Sequence, residues 1–229
     1  MTLIMGFYSK KSIVLTADGR CIEDKKSGEK IITADNNQKI FPVQDLPIAI
    51  VHHGERRINN CEIKDIIGGF VSDNFDYVKR HSLREIAEKF KLRIDLHVKA
   101  RLKELEWLNT SVGLWVAGFN PNSDQPEIYE VFWKHPSDAS VKKFDGYLNR
   151  GGDGRKFIEC YFKKPFSIMR YSLGRIKSAN VDYLAGYHLE LYKLAENEQK
   201  KSGETIFGGH IHQLAIKDSG WKWKIPPSQ

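Results

Sequence analysis

The sequence predicts an α+β fold arranged as a four-layer αββα sandwich. Apolar β-type runs open and close the chain, amphipathic helical stretches fall into two groups, and strands bracket each group. A helix with one apolar stripe has to cover something, so two helical groups need two sheet faces. Sheet packed on sheet, with a helical layer outside each, meets that need. No linker, internal repeat or low-complexity stretch interrupts the chain, so residues 1–229 are expected to form one domain.

The first element is a hairpin. Thr2–Tyr8 is apolar and β-rich, Ser9-Lys10-Lys11-Ser12 is a polar turn, and Ile13–Ala17 is a second apolar run that stops at Asp18. Residues 21–38 are polar, with a loop at Lys25–Lys30. Lys39–Val43 starts a short strand, Asp45-Leu46-Pro47 turns the chain, and Ile48–Val51 is a buried-type strand ending at His52-His53-Gly54. From Glu55 the pattern turns helical through Ile58, Cys61, Ile66 and Gly69.

Ser82 and Glu85 form a capping box that opens the clearest amphipathic helix. Its stripe is Leu83, Ile86, Ala87, Phe90, Ile94, His97 and Val98, continuing to Leu102 and Leu105. Val112–Phe119 is nearly all apolar and predicts a central strand. Glu127–Trp133 alternates as a half-buried strand should. Phe144–Asn149 is a weaker strand leading into Arg150-Gly-Gly-Asp153-Gly154, where a helix begins through Phe157, Ile158 and Tyr161. Lys163–Arg175 has no clear period and predicts irregular structure. Val181, Leu184, Ala185, His188, Leu191 and Ala195 mark a long helix ended by Lys201-Ser-Gly203. Thr205–Ile216 and Trp221–Ile225 predict the last two strands.

Composition narrows the function classes. Hydrophobic content of 41% with 11% aromatic residues is globular. No run reaches the roughly 18 apolar residues of a membrane span. No basic leader with an apolar core opens the chain, so no secretory signal is expected. Cys21, Cys61 and Cys160 stand at wide spacings that suggest neither disulfides nor zinc, which points to a cytoplasmic protein. The net charge of +7 comes from scattered basic pairs interleaved with acids, a solvated basic surface rather than a nucleic-acid footprint. Membrane and nucleic-acid partners are therefore not expected. His52-His53 and His210/His212 lack a companion carboxylate or cysteine at a telling spacing and are expected to be ordinary hydrogen-bonded histidines. Trp115, Phe119, Tyr129 and Trp133 are expected in the core.

Chemistry concentrates at Thr2. Loss of Met1 would leave a hydroxyl nucleophile and a free α-amine on one residue. Such an amine titrates at about 7.7–8.0 and can serve as the base for its own side chain. Excision of methionine is favoured before a residue as small as threonine. Taken alone, Thr2 is equally an ordinary strand residue, Asp18 a turn residue, Lys39 a surface lysine, Asp153 a helix cap and Glu204 a surface acid.

Thr2, Gly6, Ala17-Asp18-Gly19-Arg20, Lys39-Ile40, Ile48–Gly54, Gly152-Asp153-Gly154 and Phe207-Gly208-Gly209 follow one another in an order that resembles the proteasome β-subunit family of N-terminal nucleophile hydrolases, with the bacterial proteasome-like peptidases and Anbu proteins among its members. The resemblance spans nearly the whole chain and implies a threonine protease that hydrolyses peptide bonds. It implies Thr2 as nucleophile, Lys39 beside its oxygen, Asp18 holding Lys39, and the Gly54 N–H facing the oxyanion. Asp153 would hydrogen-bond the α-amine, Glu204 would replace the aspartate of the late motif, and Cys21, His52 and Arg56 would line a polar pocket for the residue before the scissile bond. It also implies a homo-oligomer, ring-like, acting on peptide or protein substrate with no metal or organic cofactor; an ATPase partner is not specified.

The chain departs from the family pattern in three places. About five extra residues separate Arg20 from Lys39, Asp153 stands where the family has serine, and Phe207 replaces the serine of the late Ser-Gly-Gly. A non-catalytic assembly subunit and an amidase acting on a small amide are the alternatives.

Overall fold

The opening hairpin forms from its two apolar runs. β1 (Ile4–Ser9) pairs antiparallel with β2 (Ser12–Asp18), Ile4 opposite Ala17 and Ser9 opposite Ser12. The computed structural model describes residues 2–24, 30–58, 61–99, 111–121, 123, 125–134, 138–145, 148–163, 176 and 178–227. Met1, most of the Lys25–Lys30 loop, Leu102, Leu105 and nearly all of the Lys163–Arg175 segment lie outside them.

The polar stretch after Arg20 contains a hairpin that its composition hid, β3 (Cys21–Asp24) with β4 (Lys30–Ala34). β5 (Ile40–Pro42) and β6 (Ile48–Gly54) follow as predicted. The helix expected from Glu55 starts later. A small hairpin, β7 (Arg57–Ile58) and β8 (Cys61–Glu62), comes first, and α1 (Ile63–Asp73) follows it. Arg56 and Arg57 both donate to Glu62 across this hairpin.

α2 (Phe75–Arg80) and α3 (Leu83–Lys99) complete the first helical group. The Ser82–Glu85 capping box is present: the Ser82 N–H donates to Glu85 Oε2 at 2.9 Å, and the Glu85 N–H donates to Ser82 Oγ at 3.3 Å. β9 (Ser111–Phe119) and β10 (Pro126–Lys134) are long and paired throughout. β11 (Ser140–Lys143) extends that sheet, and β12 (Leu148–Gly151) sits later than the Phe144–Asn149 strand predicted. α4 (Arg155–Lys163) and α5 (Val181–Lys201) form the second helical group. β13 (Ile211–Lys217) and β14 (Gly220–Ile225) close the chain, with β13 beginning six residues after the expected Thr205.

With about 34% helix and 40% strand, neither type dominates, and the protein is a mixed α and β fold with antiparallel sheets. One five-stranded sheet runs β12-β1-β2-β13-β14 and another runs β11-β10-β9-β6-β5. Three apolar clusters account for the alternation along the strands. Leu3, Met5, Phe7 and Val14 pack with Leu184, Ala185 and Leu191 of α5. Ile48, Ile50, Leu114 and Val116 pack with Ile66, Phe70, Ile86 and Phe90 of α1 and α3. The intervening residues Ile4, Ile13, Leu15, Ala49, Val51, Trp115 and Leu214, drawn from both sheets, form the third. Burial of side chains this size contributes roughly 1.5–3 kcal/mol apiece. Among the described residues no helix is long and apolar enough to cross a membrane.

Candidate active site

Asp18 ends β2, and the period of a strand puts its side chain on the same face as Val14 and Thr16. It is fully buried, and its two oxygens are saturated. Oδ1 accepts from the Thr2 hydroxyl, from the Leu3 N–H at 2.9 Å and from Lys39 Nζ at 2.9 Å. Oδ2 accepts from the Arg20 N–H at 3.2 Å and the Gly208 N–H at 3.1 Å. A carboxylate withdrawn from water needs such a set of donors.

Lys39 precedes β5 and is 3% exposed. Its three ammonium hydrogens have three acceptors: Asp18 Oδ1, the Arg20 carbonyl at 2.7 Å, and the Thr2 hydroxyl oxygen. An ammonium can only donate, so the Thr2 oxygen accepts from Lys39 and its own hydrogen is directed to Asp18. The hydroxyl thus lies between a cation and an anion, and a positive charge against the oxygen favours its alkoxide-like form.

The backbone of Thr2 is fixed by the Gly152–Gly154 turn. The Gly154 N–H donates to the Thr2 carbonyl at 2.9 Å. Gly152 has φ +77°, and a Cβ there would come within 2.3 Å of that carbonyl oxygen, so the approach requires glycine. Asp153, between them, is exposed, and no hydrogen bond joins it to Thr2, Asp18 or Lys39 among the described residues.

Gly54 ends β6, two residues past His52, whose N–H donates to the Lys39 carbonyl at 2.9 Å. Its φ is +90°, and a Cβ would meet the Ser111 carbonyl oxygen at 2.1 Å. His52 is buried, with Nε2 donating to the Glu55 carbonyl at 2.6 Å, and burial pushes its pKa down to about 3, so the ring is neutral. Cys21 is buried beside the same lysine. Burial pushes its thiol up, against the opposing pull of Lys39 and Arg56. Arg56 donates to Glu62 at 2.7 Å.

The structure therefore brings Thr2, Asp18 and Lys39 into direct contact and sets His52 and Cys21 next to Lys39, with Gly54 two residues further along β6. It does not bring Glu204 to them. Glu204 is exposed and takes both its hydrogen bonds from Lys156, at 2.8 and 2.5 Å. Support for the glycine loop comes instead from Gln199 on α5. Gln199 Oε1 accepts from the Ile206 and Phe207 N–H groups at 2.7 and 2.9 Å, and Nε2 donates to the Phe207 carbonyl at 3.0 Å. That clamp leaves the next amide, Gly208, aimed at Asp18. Sequence reasoning missed Gln199; its place four residues after Ala195, in line with the apolar stripe of the helix, was the signal.

No family model matches the chain, and no curated protein matches it. Among the described residues no group of three or more His, Cys, Asp or Glu side chains is placed to hold a metal ion.

Arg20 carries the site outward. Nε donates to Asp35 Oδ1 at 2.6 Å, and this hydrogen bond raises the guanidinium pKa while lowering that of the carboxyl. The Asp35 carbonyl accepts from the His210 N–H at 2.7 Å, joining the β4 end to the β13 start beneath the catalytic candidates.

Proposed function

We propose that the protein is a threonine hydrolase cleaving peptide bonds, with Thr2 as its nucleophile once the Met1–Thr2 bond has been broken. One observation carries this proposal: a buried threonine hydroxyl held directly between Lys39 Nζ and Asp18 Oδ1. Three core clusters, two between a sheet and its helices and one between the sheets, support a four-layer αββα arrangement of the N-terminal nucleophile type. The resemblance to proteasome β-subunits supports the same assignment.

In this mechanism the freed α-amine takes the Thr2 hydroxyl proton while Oγ attacks the substrate carbonyl carbon. Lys39 stabilises the oxygen as it loses its proton, and Asp18 fixes Lys39 in place. The Gly54 N–H, at a left-handed position where no side chain intervenes, faces the developing oxyanion. Collapse breaks the C–N bond, and the amine returns the proton to the leaving nitrogen. Water then hydrolyses the ester, restoring the Thr2 hydroxyl. The amide nitrogen of an intact Met1–Thr2 bond is no base, so the uncleaved chain is inactive. Asp153 and Glu204, both exposed, take no part in this scheme, and Gln199 positions Gly208.

Thr2→Ala tests the proposal. Peptide turnover falls at least 1,000-fold if Thr2 is the nucleophile. Equal turnover by both forms refutes it. A panel that includes small amides separates a peptidase from an amidase. The second reading, a non-catalytic homo-oligomeric assembly subunit, is favoured by one feature, the 2% exposure of Thr2, and predicts no turnover by either form.

A further inference from the structure

An acid stands where the strand pattern calls for an apolar side chain. Glu130 lies on β10 directly opposite Trp115 of β9, on the face whose Ile128 packs between the two sheets. Its side chain is only 20% exposed. A carboxylate in such a place needs donors, and Oε1 has two, Trp115 Nε1 at 3.1 Å and His53 Nε2 at 3.4 Å. Burial pushes the Glu130 carboxyl up, yet the bonds from His53 and Trp115 outweigh it and hold the pKa below its ordinary value. Glu130 is therefore an anion that only accepts, and both rings donate to it.

His53 belongs to β6, and β9 lies between β6 and β10. The imidazole reaches Glu130 by crossing β9 over Gly113, its register partner, where a Cβ would lie 2.0 Å from the ring. Only the missing side chain opens that path. The buried ring stacks on Phe132 with centroids 6.2 Å apart, and it meets Trp115 edge-on at 6.3 Å.

Both ends of this bridge reach the candidate site. The peptide that joins His53 to Gly54 carries the Gly54 N–H. His52 points its N–H at the Lys39 carbonyl, and N–H groups two residues apart on a strand leave toward the same edge. The Gly54 N–H is thus sent to the Lys39 side of β6, and an anchored His53 fixes the peptide plane that aims it. At the other end, the Trp115 ring packs on Gly151, where a Cβ would come within 2.8 Å of it. Gly151 pairs with Ile4 and leads into Gly152, which packs on the Thr2 carbonyl.

We propose that Glu130 is a positioning residue for the reaction at Thr2. Through His53 it fixes the peptide that presents the Gly54 N–H to the oxyanion, and through Trp115 it ties that peptide to the turn seating Thr2. The effect on catalysis rests on the hydrolase proposal, whereas the hold on the Gly54 peptide does not.

The test compares Glu130→Leu, which removes the acceptor, with Glu130→Gln, which keeps one for both donors. His53→Phe retains the ring packing and deletes the Nε2 donor, and it serves where Glu130→Leu folds poorly. Per folded molecule, kcat for peptide hydrolysis is expected to fall about 10- to 100-fold in Glu130→Leu and in His53→Phe, because a misdirected oxyanion donor weakens transition-state binding. KM should stay within about two-fold, and Glu130→Gln should recover kcat to within about three-fold. Unchanged kcat in Glu130→Leu and His53→Phe, a loss confined to KM, or no rescue by Glu130→Gln overturns the proposal. The order parameter of the Gly54 N–H, from NMR relaxation, is measured on the same proteins. It should fall from about 0.85 toward about 0.6 in Glu130→Leu and hold in Glu130→Gln. That fall, with no turnover by the unaltered protein, upholds the grip of Glu130 on the peptide and refutes the hydrolase. Turnover by the unaltered protein, with order parameter and kcat both indifferent to Glu130→Leu, refutes the role of Glu130 alone.

Discussion

Thr2 and Thr16 are buried to nearly the same extent, 2% and 1% exposed, and each hydroxyl meets a group that could polarise it. Thr16 lies 2.6 Å from His188 Nδ1 on α5 and accepts from Gln213 Nε2 at 3.1 Å. Thr2 lies between Lys39 and Asp18. A hydroxyl beside a histidine is the more familiar pattern for a nucleophile, yet the proposed mechanism assigns that role to the other threonine. Thr16 lies inside a strand, covered by α5, and its cluster contains no charge. Burial holds His188 down to about 3, so the ring is a neutral partner at ordinary pH. Two residues further along the same strand face, Asp18 gathers amides, an ammonium and a hydroxyl at the strand end. Burial does not distinguish the two threonines. Charge, and a breakable bond preceding the residue, do.

The largest effect expected on stability comes from the charged cluster. Asp18→Ala leaves the Lys39 ammonium buried without its counter-ion and should cost roughly 3–5 kcal/mol. Asp18→Ala combined with Lys39→Met should recover part of that loss, as read from urea midpoints. Additive losses in the double variant would show that the two groups are not coupled.

Thr16→Val sharpens the contrast. It strips His188 and Gln213 of a shared partner and should cost about 1–3 kcal/mol. It should leave peptide turnover per folded molecule unchanged. Loss of turnover matching that of Thr2→Ala would reverse the roles assigned to the two threonines.

Acid should act on the neutral histidines. The folded-state pKa of His188 is depressed to about 3, below the usual unfolded value of about 6.5. Between those values the unfolded chain binds a proton that the folded chain refuses. Stability therefore falls as pH falls through this window, by up to about 1.4 kcal/mol per pH unit for each such histidine, and levels off below about 3. His52 behaves alike. His188→Gln should remove one proton's share of that slope in urea titrations between pH 7 and 4. An unchanged slope would mean that His188 is not held neutral.

The smallest effect lies at the rim. Arg20 and Asp35 are 17% and 51% exposed, so Asp35→Ala should cost less than about 1 kcal/mol, an amount reduced further by salt.

Strand and helix periods mark out most of the fold, because a buried face imposes its period on the residues beneath it. β1, β2, β6, β9, β10, α3 and α5 all carry such a face. The β3–β4 hairpin was missed because its exposed pattern lacks an apolar side, and β7–β8 because Ile58 and Cys61 suit a helix as well as a turn. The Thr2–Asp18–Lys39 contact was legible through the order of short motifs. Gln199 was not, because its role is to satisfy three backbone groups of the loop just past the helix end, and a glutamine on a helix face does not announce which backbone groups it meets. Glu204 failed to reach the site because Lys156 at the start of α4 holds it at the surface.

The most direct measurement is the intact mass of the protein after exposure to a peptide epoxyketone, whose ring-closing reaction needs a hydroxyl and a free amine on the same residue. A chain lacking Met1 and carrying one probe, mapped by fragmentation to Thr2, is the predicted result. A chain that retains Met1 and carries no probe, or one modified at any other residue, would contradict Thr2 as the nucleophile.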